Sequence, residues 1–315
     1  MNRRNVFDSD GTMDESADSI SFLGKAQVTS CLGSRPMTEP LSNKGTYLTV
    51  SVADLHNPYL SYPTVRTSSS GRACRGECIL INQRDFHPST NQTRRDGTDI
   101  DADRVERVFK SLNYRVTRIL NVTKSVLHQT LVEASQMDHS AYDSFVFVML
   151  SHGDNNVVYA TDGEVLTNYI MAFFRGDRCS SLIGKPKLFF FQACRGAAFD
   201  KGVSTMVTDA SGDLIVHKLP IEADILVAYS TVPGFFAWRN SSMGSWFIQE
   251  LCNVLESDMK RVNHSDIMTL LAVVARVVAY QYRSNTGMVE TDNMKQMTST
   301  VSTLTRLFYI TGPPP

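Results

Sequence analysis

Three strongly apolar runs constrain this chain more than any other feature: FVFVML at 145–150, KLFFFQ at 187–192 and ILVAYS at 225–230. A half-buried strand alternates apolar and polar residues. Runs that are apolar at nearly every position belong to strands covered on both faces, as in a parallel sheet clothed by helices. Cys78-Ile-Leu-Ile-Asn82 predicts a further strand of this kind, and Thr305–Ile310 a last one. Between the runs, apolar residues recur three and four apart. Val105, Val108, Phe109 and Leu112 mark a helix over Asp99–Leu112, and Val126, Leu127, Thr130 and Leu131 the inward face of one over Thr123–Ser135. Helices are also expected at Thr167–Phe174, Ser245–Asp258 and Ser265–Arg283. Strand and helix in alternation predict an α/β fold, an open and mostly parallel sheet with helices on both faces.

Two stretches fall outside this pattern. Residues 1–75 are rich in Ser, Thr, Gly and charge, with only TYLTVSVADL (46–55) alternating like a strand, and read as a flexible N-terminal arm. Residues 197–218 (AAFDKGVSTMVTDASGDLIVHK) are small, polar and acidic, long for a strand-to-helix connection and open to proteolysis. With 31 Lys and Arg against 32 Asp and Glu, the chain has no basic excess for nucleic acid or an anionic membrane. No run approaches the roughly 18 apolar residues that span a bilayer, and the N-terminus lacks the apolar core of a secretory signal. Six cysteines among 315 residues are too sparse for a disulfide scaffold, so a reducing, cytoplasmic setting is expected. Cys74, Cys78 and His87 do not have zinc-ligand spacing, and neither metal nor cofactor is expected. The Asn-x-Ser/Thr triplets at Asn91, Asn121, Asn240 and Asn263 are read as chance matches in such a protein.

Two of the strands end in reactive side chains. FVFVMLSHG sets His152 and Gly153 just past the carboxyl end of one, and KLFFFQACRG sets Cys194 just past the end of another. Sites in open α/β sheets form at that edge. If the strands are neighbours, His152 and Cys194 face each other, and an imidazole can take the thiol proton and return it to a leaving amine. Gly153 opens the backbone to a substrate carbonyl, so its N–H and that of Cys194 could form an oxyanion hole. Taken alone, a cysteine after a strand reads first as a buried structural thiol. The word around this one decides otherwise.

That word is Gln192-Ala193-Cys194-Arg195-Gly196, with a histidine 194 − 152 = 42 residues upstream. With Arg95-Asp-Gly-Thr-Asp99, Phe174-Arg-Gly-Asp177, Gly184-Lys-Pro-Lys-Leu-Phe189, Ala228-Tyr-Ser-Thr-Val-Pro-Gly234, Trp238-Arg-Asn240 and Gly244-Ser-Trp-Phe247, the chain resembles the caspase family in family order over about 77–310. The resemblance implies a caspase-like sheet of six strands, a large and a small subunit cut from one chain, and cleavage of peptide bonds after aspartate. It assigns Cys194 as nucleophile, His152 as base and acid, and the Gly153 and Cys194 amides as oxyanion hole. It puts Arg95, Gln192 and Arg239 in the pocket for the P1 aspartate. The chemistry agrees, because two guanidinium forks grip a carboxylate with charge-assisted bonds that lysine does not reproduce. Phe236 and Trp238 match the S2 pocket, and Asn240 and Trp246 match S4. Ala237 stands where many relatives carry Ser; Arg283–Gln296 lacks phenylalanines found near S4 in some relatives, and Gln296-Met-Thr298 lacks a proline.

The short arm without a recruitment domain is similar to executioner-type caspases. The resemblance then implies a zymogen acting in apoptosis, with a prodomain of 1–75, a large subunit of 76–209, a processing linker of 197–218 and a small subunit of 210–315. The candidate cuts follow Asp18, Asp209 and Asp213. A homodimer of cleaved protomers is implied, pairing through the edge near the last strand, and an upstream initiator caspase and inhibitor-of-apoptosis proteins are possible partners. A related peptidase of basic or Asn specificity would need acidic residues where Arg95 and Arg239 stand. A catalytically weak homologue acting as decoy or dimer partner is the other reading weighed.

Overall fold

The structure, a computed structural model, describes residues 60–64, 74–200 and 220–312. In chain order its elements are β1 (Gly76–Asn82), α1 (Thr98–Ser111), β2 (Tyr114–Leu120), α2 (Lys124–Gln136), β3 (Phe145–Leu150), β4 (Gly153–Asp154), β5 (Val157–Ala160), β6 (Gly163–Leu166) and α3 (Thr167–Ala172). There follow β7 (Lys187–Gln192), β8 (Ile225–Tyr229), β9 (Arg239–Asn240), β10 (Gly244–Ser245), α4 (Trp246–Asp258), α5 (Ile267–Gln281) and β11 (Ser299–Ser302). Six strands form one sheet in the order β11-β8-β7-β3-β1-β2, parallel throughout except for β11.

The apolar runs explain this architecture. Every residue of β3 and of β7 is buried. Alternate side chains point to opposite faces, so Val146, Val148, Leu188 and Phe190 pack under α1, α4 and α5 while Phe145, Phe147, Phe189 and Phe191 pack under α2 and α3. Burying each such phenylalanine contributes roughly 1.5–3 kcal/mol. Two of the helices begin at side-chain caps: the Thr123 hydroxyl accepts from the Val126 N–H at the start of α2, and the Asp266 carboxylate accepts from the Met268 and Thr269 N–H groups at the start of α5.

Four expectations need correction. Residues 305–310 form no strand; Phe308 and Ile310 turn into the core beside α5, and the sheet ends instead at β11, antiparallel to β8. Ser-Thr-Val-Ser, half exposed, carries no apolar run, so an edge strand of this kind is silent in the sequence. The edge expected to pair two protomers is therefore 299–302. On the opposite edge β2 (YRVTRIL) also went unforeseen, because Arg115 and Arg118 break its pattern by pairing with Glu77 and with Asp103. In α2 the inward residues are Leu127, Leu131 and Ala134, and Val126 is exposed. The arm is not featureless up to residue 75, since Ser61 and Tyr62 are buried. The strand read at 46–55 lies outside the described residues.

Candidate active site

β3 and β7 are adjacent, with Leu150 opposite Gln192, and the Ser151 N–H donates to the Gln192 carbonyl at 3.0 Å. His152 and Cys194 thus each stand two residues past the last pair of one parallel ladder. Gly153 lets the two loops close: a Cβ there would lie 2.8 Å from the Ala193 Cβ and 2.8 Å from the Cys194 carbonyl oxygen. With the two strands adjacent, the thiol and the imidazole come to one edge of the sheet.

The His152 ring is half-buried, 5.0 Å from the ring of Phe86, and its Nε2 lies 2.7 Å from the Thr93 carbonyl oxygen. A carbonyl only accepts, so Nε2 carries the proton and Nδ1 remains as the base. Burial lowers the His152 pKa to about 4, with a smaller push from Arg95 and Arg239 and an opposing pull from the Thr93 bond. Burial also raises the Cys194 thiol, against a hydrogen bond from the Ala237 backbone and the pull of the same two arginines. Burial thus disfavours the charged form of both groups.

The two arginines form the most polarised part of the site. Arg95 is wholly buried; its Nη1 donates to the Gln83 carbonyl at 2.8 Å and to the Thr98 hydroxyl at 2.6 Å, while Nε and Nη2 have no partner. Burial, together with repulsion from Arg239, lowers the Arg95 pKa to about 9. Arg239, on β9, donates through Nε to the Asp96 carbonyl at 2.9 Å and is also held below its ordinary range by burial. Gly97 draws these elements together, because a Cβ there would sit 2.5 Å from the Asn240 carbonyl oxygen and its φ of +82° suits glycine. Gln192 is 2% exposed and its amide oxygen is unpartnered. Arg95 thus holds two unpartnered, buried donors close to a second arginine and to the thiol, a setting that favours an anion.

Beyond this pocket runs a row of aromatic rings. Phe236 and Trp238 meet edge to face at 5.2 Å, and Trp238 stacks on Trp246 at 5.7 Å. Sequence reasoning missed the two end members: Phe199, 5.6 Å from Trp238, and Tyr282, 5.2 Å from Trp246. Phe199 is a lone aromatic at the head of a polar loop, which was its only signal. Residues 197–200 belong to this wall and not to a free linker: Ala198 bridges Phe235, and Asp200 bridges Lys295. A cavity of about 350 Å³ opens between Asn240, Ser245, Trp246 and Tyr282, with Arg104 at its rim. The Asn240 side-chain oxygen is occupied by the Ser242 and Met243 N–H groups, at 2.8 and 3.0 Å. Gln296, which departs from the family pattern, is 1% exposed and accepts from the Trp238 N–H at 2.7 Å while donating to the Ser230 carbonyl at 2.7 Å. It braces the loop that carries the aromatic wall. Of the residues weighed as metal ligands, Cys78 lies in the core and His87 caps a short turn. Asp18, Asp209 and Asp213 fall outside the described residues.

The caspase-domain family model matches residues 75–309. Caspase-3 of Mesocricetus auratus is 43% identical over 234 residues, which is 74% of this chain and 83% of that protein. Caspase-7 of Gallus gallus is 40% identical over 239 residues, 74% of this chain and 76% of that protein. Among solved structures, caspase-1 from Spodoptera frugiperda superposes with a TM-score of 0.70 at 33% identity, covering 80% of this chain and 93% of that one. His152 and Cys194 at one edge of this sheet, with the buried Arg95 nearby, accord with those likenesses, and the chain belongs to the caspase family, as an executioner-like cysteine endopeptidase that cleaves after aspartate.

Proposed function

We propose that Cys194 attacks the carbonyl carbon of a bond following aspartate, with His152 as its base. The thiol proton passes to Nδ1 of His152 as the sulfur–carbon bond forms, and the carbonyl oxygen becomes an oxyanion facing the Gly153 and Cys194 amides. Collapse breaks the carbon–nitrogen bond, and the imidazolium gives its proton to the departing amine. Water, activated by the same imidazole, then frees the acyl group and restores the thiol. Arg95 and Arg239 hold the P1 carboxylate, and the Gln192 amide, turned to present its NH2, adds a neutral donor. Phe236 and Trp238 border S2, and Asn240 and Trp246 border S4. The observation that supports this reading is the pair of idle, buried donors on Arg95 beside a second arginine and the thiol.

Occupancy of that pocket also bears on the base. Arg95 and Arg239 both push the His152 pKa down. A carboxylate between them offsets that push, which is smaller than the effect of burial, and so favours proton uptake by His152. Maturation cuts are proposed after Asp209 or Asp213, with Asp18 as the prodomain site, giving a large piece of 19–209 and a small piece of 210–315 under the Asp209 cut. Dimers through β11, an upstream initiator caspase, inhibitor-of-apoptosis proteins and a cytoplasmic location complete the proposal; no helix among the described residues is long and apolar enough to cross a membrane. The test is hydrolysis of matched fluorogenic tetrapeptides ending in Asp, Asn, Glu or Lys by the chain and its Cys194→Ala form. Turnover of the Asp peptide alone, lost in the variant, is expected. A folded chain that stays inert even after an added protease cuts at Asp209 would favour a decoy role.

A further inference from the structure

One described piece of the N-terminal arm, residues 60–64, is seated on the far end of the chain. The Leu307 N–H donates to the Leu60 carbonyl at 2.7 Å and the Tyr62 N–H to the Leu307 carbonyl at 2.9 Å, so that Ser61 and Leu307 form a parallel bridge. The Tyr62 ring is 4% exposed and meets Phe308 edge-on at 6.2 Å. Its hydroxyl donates to Asp224 Oδ1 at 2.6 Å and accepts from the Thr305 N–H at 2.9 Å, while the Thr305 hydroxyl donates to the same carboxylate oxygen at 2.6 Å. Arg75 adds a second tie, donating to the Tyr309 and Ile310 carbonyls at 2.8 and 2.5 Å.

The partners of residues 60–62 share one property. Asp224, Thr305, Leu307 and Phe308 all lie beyond the linker, whereas Tyr62 precedes it. Asp224 stands directly before β8, and its N–H donates to the Thr303 carbonyl at 2.9 Å, just after β11. The arm thus grips the small-subunit side at the point where its edge strand leaves the sheet.

We propose that Leu60–Pro63 is a clasp that keeps the small subunit docked once the linker is cut. The proposal rests on the reading that maturation severs the chain between residues 200 and 220. In the uncut zymogen the two halves are tethered by the linker, and the clasp is redundant. In the mature enzyme it becomes an intersubunit contact made by backbone pairing, a buried aromatic ring and an acceptor shared by two hydroxyls. A prodomain cut after Asp18 leaves the clasp on the large piece. A cut between residues 64 and 74 removes it.

The experiment compares the full chain with Tyr62→Ala, Tyr62→Phe and a form carrying an orthogonal protease site within residues 65–73. After linker cleavage, verified on gels, each is diluted and the loss of the small piece is followed by size exclusion alongside decay of peptidase activity. Tyr62→Ala and the arm-cut form are expected to start at wild-type activity and to lose the small piece at least about tenfold faster, with Tyr62→Phe between them. Uncut Tyr62→Ala should keep its fold at assay temperature. Equal retention of the small piece by cut wild type and cut Tyr62→Ala would overturn the clasp, as would an uncut variant that loses as much stability as the cut one. If the linker resists cleavage, the processing reading fails. An orthogonal site placed at 209–213 then still measures the clasp by itself.

Discussion

Replacing Arg95 with glutamine removes the group on which the proposed P1 pocket most depends. Arg95 has two idle donors, Nε and Nη2, while Nη1 is committed to Gln83 and Thr98. A bound carboxylate gives those idle donors charge-assisted partners, each worth about 1.5–3 kcal/mol. Losing both costs roughly 3–6 kcal/mol, which is about 10²- to 10⁴-fold in kcat/KM. The loss is specific to the anion, so the preference for a P1 Asp peptide over its Asn analogue should shrink by at least about tenfold. Arg95→Lys keeps the charge but not the fork, and should fall between wild type and Arg95→Gln. Thr98→Val serves as the control, because it removes one Nη1 partner while leaving the charge. The assay is steady-state hydrolysis of the two peptides, with thermal melts to verify folding. Asp and Asn peptides losing kcat/KM by the same factor in Arg95→Gln would refute the reasoning and reduce Arg95 to a structural brace.

Other consequences concern the base, the loops and the aromatic wall. A His152 pKa near 4, below its unfolded value near 6.5, means the unfolded chain binds the extra proton between those values. Stability from this source is present above about pH 6.5 and is lost as pH falls towards 4, so the wild-type Tm should drop more steeply over that window than that of His152→Gln; parallel slopes would contradict the assignment. Gly153→Ala drives a Cβ to within 2.8 Å of Ala193 and Cys194, and the loops must part. Calorimetry should read a destabilisation of about 1–3 kcal/mol, with kcat falling at least about tenfold. Gln296→Ala strands the Trp238 N–H and the Ser230 carbonyl, and should raise KM for tetrapeptides more than it lowers kcat, since it loosens the wall and leaves Cys194 and His152 in place.

The central strands and the shared edge of His152 and Cys194 were legible because both signals are local. Runs such as FVFVML report two-sided burial directly, and the strand-ending histidine and cysteine announce their edge once β3 and β7 are neighbours. What escaped notice depends on partners distant in the chain. β11 is four residues of Ser, Thr and Val, none of them buried, and only β8 makes it a strand. Phe308 and Ile310 look like a strand because they are apolar, yet they are apolar to fill the core beside α5. Phe199 and Tyr282 join the aromatic wall through contacts with Trp238 and Trp246 that no spacing rule links. Arg95 illustrates the middle case: the motif names it, but its idle Nε and Nη2 are visible only in three dimensions. Tyr62 sits in a stretch whose composition reads as disordered, and its anchor, Asp224, lies 162 residues away.

The proposed catalysis turns on one thiol reacting with a substrate that is held by its aspartate. Its most direct test is a pair of tetrapeptidyl chloromethyl ketones, ending in Asp or Asn, followed by mass spectrometry of the intact and digested protein. A single adduct on Cys194 is expected, formed with the Asp reagent and blocked by Arg95→Gln. Adducts spread over other cysteines, or equal labelling by the Asn reagent, would contradict it.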